Sequence, residues 1–186
     1  MDYETNIGLS RLKIRRIAEI TRKEFEITTL CFPVLRMLDM LEIRFPGHIY
    51  HVVEEDDSFE SSCMAYLSED RFDEYCIHIR ESVYEGAVQG RGNCLGFICH
   101  EIAHFILLFL CEVRPKRDYA NRPVIYARKS SPWCSTEWQA MALCGELMIP
   151  YETCKEMELD EIMRSTKSSE AQARYFLEKV VPHVKT

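Results

Sequence analysis

The spacing of hydrophobic residues predicts helices at both ends of the chain and a short sheet between them. Residues 7–25 and 33–43 repeat apolar side chains with the period of an amphipathic helix. Helical patterns return at residue 96 and continue to residue 181. Three short runs rich in β-branched and aromatic residues are typical of strands: residues 48–53, 62–67 and 75–80. We therefore expect an α+β fold in which a short, mostly antiparallel sheet packs against helices.

The chain shows no internal repeat and no low-complexity linker, so we expect a single domain over residues 1–186. Two acidic stretches, residues 54–57 and 69–70, separate the predicted strands, and we interpret them as hairpin loops. The predicted parts of the domain are N-terminal helices (1–45), a small sheet (48–80), two largely apolar helices (96–150) and C-terminal helices (151–186).

Composition and charge narrow the class of protein. The 186 residues are 47% hydrophobic and 28% charged, which is ordinary for a globular chain, and the net charge of −7 argues against general nucleic-acid binding. The first residues lack the layout of a signal peptide, and the most apolar stretch, residues 102–111, is about half the length that spans a bilayer. The nine cysteines include no C-x-x-C pair, so we interpret them as reduced thiols. We expect a cytoplasmic protein.

One of the apolar helices carries the candidate chemistry. Residues 96–111 are apolar except for His100, Glu101 and His104. A helix that is apolar almost all round is a buried helix, and a carboxylate and two imidazoles are costly to bury without partners. His100 and His104 lie four residues apart on one helical face and can bind one metal ion. Glu101 lies beside them, where it can take a proton from a water on that metal.

The H-E-x-x-H segment has an alternative interpretation, a hydrogen-bonded His–Glu–His cluster inside a core helix. Polar residues occur in this helix only at the motif positions, which favours the metal site. The long metzincin motif requires glycine and histidine where this chain has Leu107 and Leu110, so that class is excluded. Because a catalytic zinc site has three protein ligands, the third must come from another part of the chain.

Glu137 is the best candidate for the third ligand. It begins a second mostly apolar segment, residues 137–150, which we predict to be a helix with Thr136 and Gln139 as a capping pair and Pro150 at its end. The alternative role for Glu137 is a first-turn carboxylate that only favours the helix dipole. The residues on its face are small or soft and suit packing against the first helix: Ala140, Met141 and Cys144. Three other acids are rivals for the ligand role: Glu112, Asp118 and Glu146.

The order of these features resembles the ImmA/IrrE family of metallopeptidases. Residues 82–91 resemble the family's approach to the metal helix, and residues 100–104 match its metal motif. Residues 137–150, from Glu-Trp-Gln-Ala to Leu-Met-Ile-Pro, resemble its E-x-x-A-N … L-L-M-P helix, whose glutamate is the third metal ligand. The resemblance covers most of the chain, including the N-terminal helix pair and a final helix near 168–180, and is specific over residues 75–150.

The resemblance implies a fold and a function. The fold would be a small zincin-like domain with the H-E-x-x-H segment on a buried central helix. The metal ligands would be His100, His104 and Glu137, and Glu101 would be the general base in the hydrolysis of a peptide bond. Two imidazoles and one carboxylate favour Zn²⁺, with Mn²⁺ as the alternative. Family members often act on a helix-turn-helix repressor or antitoxin in stress responses or mobile elements, so the expected partner is such a protein, without direct nucleic-acid or membrane binding.

The chain departs from the family pattern at several positions. The Arg-Phe-Thr that often precedes the first histidine is Leu95-Gly96-Phe97 here, and the asparagine that follows E-x-x-A is Met141. These changes keep a second function open: a metal-bound but weakly active or inactive protein that binds a regulator, as toxin or antitoxin partner. A peptide deformylase also uses H-E-x-x-H, but its ligand cysteine lies tens of residues upstream, whereas Cys94 is six residues before His100.

Two elements of substrate handling stay open at this point. A side-chain donor would help to stabilise the developing oxyanion, and the sequence offers four candidates: His78, Tyr119, Tyr126 and His183. The predicted strand 75–80 is interpreted as the edge of the sheet, where it would receive an extended peptide by strand addition.

Overall fold

Most helices and strands lie close to the positions that the hydrophobic pattern predicts. The helical pattern expected from residue 96 to residue 181 was wrong for residues 111–127, which form isolated bridges such as Thr5 with Pro115 instead of a helix. They are described in a computed structural model that covers residues 2–71, 73–127 and 130–182. The strands are β1 (Ile49–Glu54), β2 (Ala65–Arg71) and β3 (Glu74–Arg80). The α-helices are α1 (Arg11–Glu24), α2 (Val34–Arg44), α3 (Glu81–Val88), α4 (Gly92–Phe105), α5 (Thr136–Met148), α6 (Tyr151–Cys154), α7 (Leu159–Thr166) and α8 (Glu170–Tyr175). The predicted α+β class is confirmed.

The three strands form a mixed sheet in the order β1-β3-β2. β2 pairs antiparallel with β3, and β1 pairs parallel with β3. The prediction of a mostly antiparallel sheet was therefore wrong for β1. Its physical reason is the connection 55–64, which carries the chain from β1 past β3 to the opposite edge, where β2 then turns back as a hairpin partner of β3.

The same topology corrects two further expectations. β3 is the central strand, with Tyr75, Ile77 and Ile79 buried, so the strand at 75–80 is not the sheet edge; β1 and β2 are. The acidic residues 54–57 belong to the end of β1 and the crossover that follows it, and residues 69–70 lie within β2. The prediction of hairpin loops at these residues was therefore wrong, because polar residues on the open face of a strand and polar residues in a turn look alike in sequence.

Helix α4 lies in the centre of the core. Five of its side chains are fully buried: Ile98, Cys99, Ile102, Ala103 and Phe105. The helix packs against α2, α3, α5 and the strands β2 and β3, and it continues through a π-helical turn over Ile106–Leu110. The segment Gly92–Leu110 is long and apolar enough to cross a membrane, but 56% of that window is buried inside the fold. It is therefore best described as the core helix of a small α+β protein.

Helix α1 is fixed to α5 by a buried ion pair. Arg15 donates two hydrogen bonds to Glu146, at 2.9 and 3.0 Å, and both side chains are less than a tenth exposed. The guanidinium carbon of Arg15 lies 3.5 Å from the ring centroid of Tyr151, so the apolar faces of the charged group are covered as well. This pair assigns Glu146 to the interface between α1 and α5.

Candidate metal centre

Helix α4 presents two imidazoles side by side at the surface of the core. The Nε2 atoms of His100 and His104 lie 3.1 Å apart, and their rings meet nearly at right angles with centroids 4.6 Å apart. The helical spacing of four residues puts both rings on one face, as the sequence predicts. Their side chains are 22% and 15% exposed, so the two nitrogens are sheltered but reachable from solvent.

Glu137 reaches the same point from the first turn of α5. Its Oε2 lies 3.3 Å from His100 Nε2, and its Oε1 lies 3.6 Å from His104 Nε2. The three residues form a group whose ligand atoms all lie within 4.8 Å of one another. At a metal–ligand distance of about 2 Å, tetrahedrally arranged ligand atoms lie about 3.3 Å apart. The observed separations fit such a site, and the donor set of two imidazoles and one carboxylate suits a divalent transition metal.

The N-terminus of α5 is held by a residue that lies far away in the sequence. Asp2 accepts hydrogen bonds from the hydroxyls of Ser135 and Thr136 and from the backbone N–H of Glu137, at 2.8–3.2 Å. Ser135 is the N-cap, because its hydroxyl accepts from the backbone N–H of Trp138 at 2.9 Å. Asp2 and Ser135 therefore fix the turn of helix that carries Glu137. The sequence gives no local sign of this role for Asp2.

The predicted capping pair of Thr136 and Gln139 was wrong. Thr136 is the first helical residue, and Gln139 is fully buried. The Gln139 side-chain amide donates to Thr5 Oγ1 and to the carbonyls of Ile7 and Trp133, at 2.6–3.0 Å. Gln139 thus ties the N-terminal segment to α5 instead of closing a local cap, and a local spacing rule has no means of identifying so distant a partner.

Two of the three rival acids are engaged in ion pairs elsewhere. Glu146 is paired with Arg15 as described above, and Asp118 binds Arg122 at 2.8 and 3.0 Å within its own loop. Glu112 follows the π-helical turn with a left-handed backbone (φ 53°), and its carbonyl accepts from Asn6. Of the four acids, the structure brings Glu137 to the imidazole pair.

We expect Glu137→Gln and Glu146→Gln to separate metal binding from stability. Glu137→Gln should weaken metal affinity about tenfold or more, because the amide is a poorer ligand than the carboxylate. Glu146→Gln should keep the metal but lower the free energy of unfolding by about 3 kcal/mol, since it leaves the buried Arg15 charge uncompensated. Metal titrations and urea unfolding of both variants measure the two effects. If Glu146→Gln weakened metal affinity and Glu137→Gln lowered stability instead, Glu146 would be the third ligand.

The charges of the cluster reinforce one another. Hydrogen bonds with His100 and His104 hold the pKa of Glu137 well below its usual range, against the opposing effect of burial. Burial acts to lower the pKa of His100, but the hydrogen bond with Glu137 and the charge of Glu101 outweigh it, so the net shift is upward. The protein environment thus favours a carboxylate anion at Glu137 and positive charge beside it.

Glu101 lies next to the cluster and is almost completely enclosed. Its residue is 8% exposed, and burial raises the pKa of its carboxyl group, while the charges of His104 and His100 act in the opposite direction. The backbone of Leu67 in β2 also acts to lower that pKa. Glu101 is therefore enclosed beside the imidazole pair, on the helix α4 that packs against the edge strand β2.

Two of the candidate oxyanion donors are engaged with other groups. His78 contacts Glu54 through Nδ1 at 2.8 Å and Ser68 through Nε2 at 3.0 Å. Tyr126 donates to the carbonyl of Ser130 at 2.7 Å, whereas Tyr119 is fully exposed. His183 lies outside the described residues. Among the described residues, His78 does not belong to the His100–His104–Glu137 group.

Comparisons with known proteins bear on the fold. No protein-family model and no curated protein matches the chain. A solved structure described as a "Mycobacterium tuberculosis transcriptional regulator" aligns with 89% of this chain at a TM-score of 0.58 and 13% identity. The alignment covers 47% of that protein, so this chain spans about half of its length. The likeness shows that the two chains share a fold over the aligned part.

Proposed function

We propose that this protein is a metal-dependent endopeptidase that cleaves a peptide bond in a protein partner, in the manner of the ImmA/IrrE family that its motifs resemble. One observation carries the proposal. His100, His104 and Glu137, from two separate helices, direct their ligand atoms to one point, and Glu101 lies buried beside them. A buried carboxylate next to a metal-ligand group is the arrangement that water-activating hydrolases require.

The residues of the candidate centre have distinct roles in the proposed hydrolysis. A divalent ion held by His100, His104 and Glu137 would polarise a water molecule and the carbonyl of the scissile bond. The Glu101 carboxylate accepts a proton from the attacking water and delivers it to the leaving amine nitrogen. Edge strand β2, which packs against the helix that carries Glu101, offers unpaired backbone groups to an extended substrate. The substrate backbone would thereby lie across the centre.

Zinc is the proposed metal, and manganese is the alternative. Two imidazole nitrogens and one carboxylate oxygen, with ligand separations near the tetrahedral value, favour zinc in a four-coordinate site. All nine cysteines are free in the structure, in keeping with a reducing compartment. We therefore place the protein in the cytoplasm as part of the same proposal.

The proposed substrate is a helix-turn-helix repressor or antitoxin, as the family resemblance implies. A second candidate function is a metal-bound protein of low activity that binds such a regulator without cutting it. One observation favours this second candidate: the family pattern is altered at Leu95, Gly96, Phe97 and Met141.

A cleavage assay separates the two functions. The zinc-loaded protein is incubated with purified helix-turn-helix repressors, beginning with any encoded beside its gene, and the products are identified by mass spectrometry. We expect cleavage at one peptide bond, abolished by a chelator and restored by added zinc. A repressor that binds stoichiometrically and stays intact would support the second candidate and contradict the first.

A further inference from the structure

A cavity of about 590 Å³ opens between α4, α5 and α8. It begins at His100 and runs along α4 as far as Asn93 and along α5 from Trp138 to Met148. Its volume lies within the range of about 300–1,000 Å³ that is usual for small-molecule sites. No residue proposed for the peptidase chemistry other than His100 lines it.

The walls of the cavity are apolar and partly open to solvent. Three large side chains around it, Phe97, Met141 and Tyr175, are 39%, 64% and 50% exposed. Such a concentration of apolar surface is unfavourable in water unless something covers it. Gly96, Phe97 and Met141 are also positions at which this chain departs from the family pattern.

Gly145 keeps part of the cavity open at a cost to helix α5. Glycine inside a helix is less favourable than alanine by about 0.5–1 kcal/mol. A close approach of another element often explains such a glycine, but a Cβ atom at position 145 would meet nothing within 4 Å. Gly96, by contrast, has a packing reason, since a Cβ there would lie 2.7 Å from the Gln172 side chain. The glycine at 145 therefore has no packing reason, and a side chain added there would enter the open space.

The cavity wall carries one positive charge in excess when the buried Arg15 behind it is counted together with the lining residues. Arg11 and Glu146 both line it, and Arg15 lies behind Glu146. Both oxygens of Glu146 are hydrogen-bonded by Arg15, whereas the nearest Arg11 nitrogen is 3.7 Å from that carboxylate. Two guanidinium groups thus share one carboxylate. Arg11, whose guanidinium also lies 5.5 Å from the Trp138 ring centroid, retains donors for an anion.

We propose that this cavity binds an amphipathic carboxylate, a molecule with a long apolar chain and one carboxylate group, as in a medium- or long-chain fatty acid. The apolar walls take the chain, and Arg11 takes the carboxylate. An apolar side chain or a docking helix of a partner protein would fit the walls but would leave the excess charge of Arg11 without a role. Binding at this site does not require the proposed peptidase activity, although His100 lies at one end of the cavity.

Binding is measured by tryptophan fluorescence. Trp138 lines the cavity, and the other tryptophan, Trp133, is 52% exposed, so a Trp133→Phe background isolates the signal. Dodecanoate should give saturable quenching or a spectral shift below its micelle concentration. Dodecanol should bind about tenfold more weakly, and dodecyltrimethylammonium more weakly still, because neither gives Arg11 a charge-assisted hydrogen bond. The titration is repeated with a chelator present, and dodecanoate binding should persist, which excludes coordination to the metal.

Variants locate the site. Gly145→Leu places a side chain in the open space and should abolish dodecanoate binding, with thermal melts to confirm folding. Arg11→Gln should weaken dodecanoate binding about tenfold while leaving dodecanol unchanged. Arg16→Gln, at an exposed position of the same helix, is the matched control and should leave both unchanged. Equal affinities for dodecanoate and dodecanol would overturn the proposal and indicate an apolar protein-docking surface. Undiminished binding in a folded Gly145→Leu protein, or no saturable binding at all, would also overturn it.

Discussion

Replacing Glu101 by glutamine should leave the metal bound and slow peptide cleavage by about 10²–10⁴-fold. The glutamine has the same shape, and Glu101 is not one of the three residues whose ligand atoms converge. An amide, however, cannot accept the proton of an attacking water. The enclosed position of Glu101, 8% exposed beside the two imidazoles, leaves little room for solvent to replace it. The measurement is kcat/KM on one cleaved substrate together with the metal content of the same sample.

A matched control for this variant is Glu85→Gln, which removes an exposed carboxylate from the neighbouring helix α3. It should change neither metal content nor cleavage. Wild-type turnover in Glu101→Gln would rule out Glu101 as the proton carrier. Loss of metal together with turnover would instead mean that Glu101 maintains the ligand geometry, and the division of roles proposed above would be wrong.

Replacing His104 by alanine should abolish stoichiometric metal binding. Its Nε2 lies 3.1 Å from His100 Nε2 and 3.6 Å from Glu137, so its removal leaves two ligands of the three. A ligand that binds only the folded state raises stability by about 4 kcal/mol at a thousandfold excess over its Kd. The wild-type melting temperature should therefore fall when a chelator is added, and the His104→Ala melting temperature should not respond.

The control for His104→Ala is a histidine in a similar environment outside the cluster. His78 is partly buried and also paired with a carboxylate, that of Glu54, but it belongs to no metal-ligand group among the described residues. His78→Ala should therefore retain the metal. Elemental analysis of both variants, with melts in zinc and in chelator, checks the prediction. Stoichiometric metal in His104→Ala would contradict the site.

The features of this molecule that the sequence predicts are those that depend on the spacing of neighbouring residues. The four-residue interval of His100 and His104 and the apolar surroundings of α4 depend on one helix, and the position of Glu137 in the first turn of α5 depends on the next. Each is a property of neighbouring residues, because helical geometry decides which side chains share a face. The α+β class follows from the same short-range patterns.

The parts that the sequence does not predict are set by distant contacts. β1 lies parallel to β3 because of how the 55–64 connection crosses the sheet, and no periodicity of β1 itself records that direction. The Arg15–Glu146 pair joins residues 131 positions apart. This pair gives Glu146, a rival candidate for the third metal ligand, a structural role instead. The cavity beside α5 likewise arises only when α4, α5 and α8 come together.

The attachment of Asp2 to the start of α5 has a consequence for biosynthesis. Asp2 and Glu137 are separated by 135 positions and are joined directly by a hydrogen bond of 3.2 Å. On the ribosome, Asp2 emerges long before α5 has been translated, and α4 emerges earlier than α5 as well. Until α5 has been translated, α4, the most apolar helix and the one that carries both histidines, therefore lacks the helix that completes the cluster. We expect premature metal capture by the unfinished chain to be weak, since two imidazoles alone hold a divalent ion poorly.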